Sequence, residues 1–381
     1  MKKMLKMALG LFVLGFTLSA SAKDSIKIGA LVAATGPASF LGDPELKTLK
    51  LYVEKINASG GLLGKQVELV AYDTGANPKQ ATTFVKRLIN QDEVVAIIGG
   101  SASGETMAIL PFVEKAEIPL VSMAGAISII QPVQKYAFKT PATDRMACDK
   151  IFGYLKSKNQ VNVALISGTD GFGASMREQC MEVAPSHGIS IVADESYGPK
   201  DTDMTPQLTK IKSISNLQAV VNPGFGQGPA IVTKNYKQLG ITQTLVQSHG
   251  VASKKFIELT ENANEGVIVA SPPVVVASLL EDSNPIKNIA LDYIKSYEEK
   301  YNEPVSTFGG YAYDALYLIV DAIKTANSSE PKAIRNAIES TKNYAGLNGI
   351  FNMTAEDHLG LDLDSGIKML VIKNNDWSLA E

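Results

Sequence analysis

The sequence predicts an α/β fold built from two similar halves, each a parallel sheet covered by helices. Three observations carry that expectation. Short runs rich in Val and Ile alternate with longer helical patterns, which is the rhythm of βαβ units. The alternation pauses at KYAFKTPATD and then restarts. Removing 22 leader residues from 381 leaves roughly 359, more than a single hydrophobic core usually organises, so two domains of ordinary size are expected.

Taken in order, the first half reads IKIGALV, a helix over Glu45 to Asn57, VELVAYD, a helix over Pro78 to Asn90, VVAIIGG, a helix over Ser103 to Lys115, and IPLVS. After the pause, NVALISG precedes a helix over Ala174 to Ala184. GISIVADES precedes one over Asp203 to Lys212, and QAVVNPG one over Pro229 to Leu239. Pro272 and Pro273 interrupt the pattern after EGVIVAS. Beyond them helices are expected from Ile286 to Lys300, Gly310 to Ala326 and Pro331 to Thr341, with no strands between, so they should cover sheets already built. The end, GIFNMTAEDHLGLDLDSGIKMLVIKNNDW, reads as two strands joined by a polar, turn-rich loop.

The chain opens with a basic stretch (Met1 to Lys6), an apolar run (Met7 to Leu18) and small residues, Ala20-Ser21-Ala22. This is the pattern of a secretory signal peptide over residues 1–22. A membrane anchor needs about 20 apolar residues, and this run is shorter and interrupted. With no Cys following to carry a lipid, a soluble exported product is expected. Apolar content of 45% and charged content of 20% are those of a globular chain. A net charge of −3 without a basic run in the mature part gives neither nucleic acid nor an anionic membrane an electrostatic footprint. Cys148 and Cys180 can form one disulfide in an oxidising compartment or remain two buried thiols. Nothing at ligand spacing around them suggests a metal.

Ligands of open α/β sheets sit beyond the carboxyl ends of the strands. GGSASGET lies there and opens a helix at Ser103, so its N–H groups and the hydroxyls of Ser101, Ser103 and Thr106 can hold an anion. It is not a P-loop, because Glu105 stands where the phosphate-binding lysine belongs. Gly171-Phe172-Gly173, with Asp194 and Glu195 about 20 residues on, is a partial dinucleotide fingerprint. Met176 replaces its third Gly, which favours a tight turn with Phe172 at a cleft. No catalytic motif of the GxSxG or HExxH type occurs, and no cofactor is implied. Of the histidines, His187 sits at a helix end and His358 in an acidic turn, both readable as structural. His249 follows the strand TLVQ at a ligand-facing edge.

The stretches IGALVAATGPASFLGD, INASGGLLGKQVELVAYDTGANPKQA, IIGGSASGETMAILPFVEKAEIPLVSMAGA, FKTPATD, DGFGASM and FGGYAYDAL, in this order, resemble type I periplasmic binding proteins of the leucine/isoleucine/valine-binding family. Those are receptor components of ABC importers. The resemblance implies two Rossmann-like lobes joined by three hinge crossings that close on a small ligand. It places residues 23–140 and 272–347 in the N-terminal lobe and 141–271 and 348–381 in the C-terminal lobe, with crossings near Thr140 to Thr143, Ala270 to Pro273 and Leu347 to Phe351. It further implies a periplasmic monomer that presents its ligand to a membrane permease and performs no chemistry on it.

Carried over residue by residue, Ser103 takes the place of the hydroxyl that meets the ligand carboxylate, with main-chain groups around Ala124 and Gly125. A family threonine falls at Ala126, so one hydroxyl is missing. Aromatic wall positions match Phe172 and Phe308, and more loosely Phe225. The aromatic residue of the first loop becomes Leu41, with Phe40 beside it. The carboxylate that meets an amino-acid ammonium falls at His249, and an imidazole cannot supply that charge. Burying an unpaired ammonium costs several kcal/mol, against about 1 kcal/mol for an ordinary hydrogen bond. The expected ligand is therefore an aromatic or aliphatic acid without an ammonium group. The alternatives are a receptor for branched-chain amino acids, in which Asp144 or Asp314 reaches the ammonium, and a secreted nucleotide-dependent enzyme using the GFG turn. A sensory role is a further possibility left open by the resemblance.

Overall fold

The computed structural model describes residues 25–380; the leader expected over 1–22 lies outside them. The first sheet is formed by β1 (Ile26–Val32), β2 (Val67–Asp73), β3 (Ala96–Gly99), β4 (Leu120–Ser122) and β5 (Ala137–Lys139), in the order β2-β1-β3-β4-β5. All its pairings are parallel. The connecting helices are α1 (Ser39–Ala58), α2 (Pro78–Arg87) and α3 (Ser103–Ala116). The central strands are apolar on both faces, as sheets covered on both sides require, while the edge strand β2 is half-buried.

The second half runs α4 (Asp144–Ser157), β6 (Asn162–Gly168), α5 (Gly171–Val183), β7 (Ser190–Tyr197), α6 (Thr205–Lys212), β8 (Ala219–Asn222), α7 (Gln227–Gln238), β9 (Thr244–Gln247), α8 (Lys254–Thr260) and β10 (Ile268–Ser271). The chain then returns to the first half through α9 (Pro285–Tyr301), α10 (Thr307–Ala326) and α11 (Pro331–Glu339). Tyr52 of α1 stacks against Tyr293 of α9 and edge-on against Tyr313 of α10, so these helices clothe the first sheet through α1. A small hairpin of β11 (Tyr344–Ala345) and β12 (Ile350–Phe351) precedes the last crossing, and β13 (Lys368–Lys373) and β14 (Asp376–Leu379) complete a second sheet of order β14-β13-β10-β9-β8-β6-β7. The chain thus passes between the sheets three times, after β5, after β10 and after β12.

Helix starts obey local chemistry. Asn77 accepts the N–H groups of Lys79 and Gln80 ahead of α2, Thr143 that of Met146 in α4, and Asp170 those of Phe172 and Gly173 in α5. Two expectations need correction. The first helix begins at Ser39 and not at Glu45, running on through Pro44, which lies inside it and lacks the N–H that would bond the Phe40 carbonyl. The two strands expected at the C-terminus are instead a two-residue strand outside the main sheet and an antiparallel pair, β13 with β14. That pair turns on Asn374 and Asn375, both at positive φ (53° and 58°), the conformation that Asn tolerates in tight hairpins.

Cys148 and Cys180 are joined in a disulfide that ties α4 to α5, which decides between the two readings of the pair. The partial dinucleotide fingerprint is a helix start: Asp170 caps it, Asp194 pairs with Arg177, and Glu195 with Lys210. No acid is left there for a ribose. His187 bonds Asp149, and His358 bonds the Ala137 carbonyl and Glu339 while stacking on Phe138, so both are structural.

Candidate functional site

The carboxyl ends of the two sheets face each other across a cavity of about 30 Å³, room for a water molecule or two. The first half contributes Leu41, Ser101, Ser103, Gly125, Phe308 and Tyr311, and the second Phe172, Phe225, His249 and Gly250. Eight of the positions expected from sequence, Ser101 among them, therefore converge on one cavity. Phe40 stands behind the wall, 5.6 Å from the Phe308 ring and 6.4 Å from that of Phe225. Ala124 and Ala126 are buried in the loop beside Gly125 without lining the cavity.

The hydroxyls divide sharply by availability. Ser101 accepts the Ala33 N–H and donates to the carboxyl of Glu45, and Thr106 bonds the Ala102 carbonyl. Both are engaged within the protein, so of the three expected anion holders Ser103 alone remains. Its Oγ accepts the Ala126 N–H at 3.2 Å, and among the described residues no acceptor takes its proton. The Ala124 N–H is already bound by Ser122 Oγ at 3.1 Å, which removes it from the expected carboxylate grip. Glu105, in the place of a P-loop lysine, accepts the Ala102 N–H and the Thr74 hydroxyl and so fixes the loop.

Among the described residues, none of the side chains lining the cavity is a carboxylate. The two acids offered as ammonium partners are committed elsewhere. Asp144 accepts the N–H groups of Ile127 and Arg145 and the Ser175 hydroxyl. Asp314 accepts those of Leu347 and Asn348 and the Asn348 amide. Glu45, behind Ser101, is driven by burial well above the usual carboxylate range and accepts the Ser101 hydroxyl. His249 is 3% exposed, sits edge-on to Phe172 at 5.2 Å, and finds no hydrogen-bond partner for either ring nitrogen. Burial, with the charge of Lys139 nearby, lowers it to about 3, so it enters the site as neutral imidazole.

Two features escaped the sequence. Tyr311 lines the cavity with its buried hydroxyl unpartnered; its place one helical turn after Phe308 was a usable signal. Lys139 is fully buried beneath Gly125 and donates to its carbonyl at 2.8 Å. In FKTPATD it reads as an ordinary polar residue at a strand end.

The family described as periplasmic binding protein matches residues 25–362. The chain belongs to that family. Among relatives of this periplasmic binding protein, the leucine-, isoleucine-, valine-, threonine- and alanine-binding protein of Pseudomonas aeruginosa is 24% identical over 330 residues, covering 86% of each chain. A solved extracellular ligand-binding receptor from Rhodopseudomonas palustris is 27% identical and superposes with a TM-score of 0.87, covering 94% of this chain and all of its own. The branched-chain amino acid transporter substrate-binding protein LivJ from Streptococcus pneumoniae, in complex with isoleucine, is 27% identical with a TM-score of 0.83, covering 94% of this chain and 99% of its own.

Proposed function

We propose that this periplasmic binding protein is the exported solute receptor of an ABC importer of the branched-chain amino acid type, and that its ligand is an aromatic or aliphatic acid without an ammonium group. One observation carries the ligand class: among the described residues the cavity has no anionic side chain, and His249, which lines it, is a neutral imidazole. An ammonium there would be buried without a counter-charge, at a cost of several kcal/mol. A carboxylate has the free Ser103 O–H, and the Gly125 N–H, which makes no hydrogen bond among the described residues. Phe172, Phe225 and Phe308 supply an apolar bed for the body of the ligand, and the unpartnered hydroxyl of Tyr311 and ring nitrogens of His249 offer partners to its polar groups. The small cavity fits a receptor whose lobes part to admit the ligand and close over it. The leader pattern and the disulfide support export to an oxidising compartment such as the periplasm. The joined face of the closed lobes is the surface a membrane permease would meet, and a monomer suffices for that role.

A second reading, a receptor for branched-chain amino acids, is favoured by the relatives, which include a leucine-, isoleucine-, valine-, threonine- and alanine-binding protein and an isoleucine-bound LivJ. One experiment separates the two. Thermal stabilisation should be measured against leucine, isoleucine and valine, against their 2-oxo acid counterparts, and against benzoate and phenylacetate. Stabilisation grows as RT ln(1 + [L]/Kd). The acid reading expects shifts with the deaminated compounds and none with the amino acids, and fails if leucine or valine alone stabilises. His249→Asp, which restores a carboxylate at that position, should shift preference toward the amino acids.

A further inference from the structure

The Ser103 hydroxyl ends a connected line of hydrogen bonds that begins at a buried cation. Lys139 Nζ donates to the Gly125 carbonyl at 2.8 Å and to that of Ala142 at 3.4 Å. The Gly125 carbonyl also accepts the Asp144 N–H at 3.1 Å. That carbonyl belongs to the same peptide group as the Ala126 N–H, which donates to Ser103 Oγ at 3.2 Å. Every donor therefore points the same way, from Lys139 through the peptide and Ser103 toward the cavity. Bonds in such a chain polarise one another, so a cation at its head strengthens the donor at its end.

We propose that Lys139 is the buried positive charge that supports a ligand carboxylate from behind the cavity wall, acting through the Gly125–Ala126 peptide and the Ser103 hydroxyl. It is a positioning residue, since it touches the wall and not the ligand. The inference rests on the reading that this site holds a carboxylate, but not on whether the ligand also carries an amino group.

A buried lysine with two carbonyl partners and no contacting carboxylate is an under-neutralised charge. Burial lowers it to about 7, with Asp144 drawing it partly back. Asp144 on α4, His249 after β9 and His358, whose carbonyl accepts the Lys139 N–H, are the titratable residues around it. His249 stands on the cavity side of the same glycine, since a Cβ on Gly125 would lie 2.9 Å from its Nε2. Asp144 is raised by burial. An anion arriving at Ser103 favours the charged lysine, so binding near neutral pH draws a proton onto Lys139. The sign follows: affinity is full where the free protein is already protonated, below about pH 6, and weakens as pH rises above about 7.

The test is calorimetric titration of the intact mature protein with 4-methyl-2-oxopentanoate, benzoate and leucine in phosphate and in Tris at pH 7.5, repeated from pH 6 to 8.5. The difference in heat between buffers gives protons taken up per ligand bound. About half a proton or more is expected at pH 7.5, with Kd weakening by several-fold between pH 7 and 8.5. Lys139→Gln should weaken binding about tenfold or more and abolish the uptake, Lys139→Arg should restore affinity without the uptake, and His249→Gln should keep the uptake. Ligand-free melting curves check that each variant folds; should the Lys139 variants fail, proton uptake by the wild type and by His249→Gln still decides. Binding of an acid with no uptake overturns this proposal and leaves the acid reading standing. Leucine bound with uptake upholds the proposal and removes the acid reading. Uptake that survives in Lys139→Gln overturns the proposal, and no binding by any of the three carboxylates overturns both.

Discussion

Gly125 of the first half lies against Phe172 and His249 of the second, and Gly125→Ala converts that closeness into a measurement. A Cβ built there would lie 2.6 Å from Phe172 Cε2 and 2.9 Å from His249 Nε2. Gly125 is not among the residues at positive φ, so the backbone accepts alanine and the penalty is steric. Neither neighbour can retreat easily. Phe172 sits in the capped first turn of α5, a helix bonded to α4, and His249 is buried. Overpacking of this kind costs about 1–3 kcal/mol. Because both clashing rings belong to the opposite lobe, the cost falls on closure and not on the folding of either lobe. At about 1.4 kcal/mol per tenfold, Kd should weaken by about 5- to 150-fold. Calorimetry with the acid selected by the thermal panel reads that change, and the ligand-free melting temperature should move little. A Kd within twofold of wild type would refute the account of the site as a cavity closed by contacts between lobes. A large loss of ligand-free stability would instead locate the strain within the first lobe.

Three further outcomes are expected. Ser103→Ala removes the one uncommitted hydroxyl of its loop and should weaken acid binding by about 1.5–3 kcal/mol, roughly 10- to 150-fold in Kd, as for a bond to a charged acceptor; an unchanged Kd would place the carboxylate elsewhere. Cys148→Ser with Cys180→Ser opens a loop with a sequence separation of 32, for which chain entropy gives about 3–4 kcal/mol; denaturant midpoints of oxidised wild type and the double variant measure it, and equal midpoints would contradict it. Asp314 is held by burial at about 7, above its ordinary 3.8. The stability it confers is present below about pH 4 and lost as pH rises through 7, so Asp314→Asn should show a flatter melting temperature between pH 4 and 8 than wild type, and identical slopes would dismiss the effect.

The sequence made the fold legible because period and turn chemistry are local. Buried parallel strands stand out as Val/Ile runs, and the loops that follow them announce the sheet's ligand-facing ends. This is why Ser103, Phe172 and His249 could be placed at ligand-facing strand ends; Phe308 was named through the family resemblance, and all four line one cavity. What remained hidden depends on contacts distant in the chain. Ser101 and Ser103 look equivalent in GGSASGET, and only the packing of Glu45, 56 positions away from Ser101, removes the first from service. The sequence likewise offered no means of pairing Cys148 with Cys180 over leaving both reduced. Lys139 was not singled out, because nothing local records that the next loop, through the Ala142 carbonyl, folds over it. The terminal hairpin, by contrast, was missed through an available sign: Asn374-Asn375 is a turn dipeptide lying between two apolar stretches.

The bond between Cys148 and Cys180 has a consequence for ligand size. It clamps the helix that leaves the first crossing to the helix that carries Phe172, so the backbone bearing this ring moves as part of the second lobe. A longer guest must therefore be accommodated from the opposite jaw, at Leu41 and Phe308, or by a wider angle between the lobes. Variation at those two positions, with the clamp left in place, is the route by which this scaffold would be retuned from short ligands to long ones.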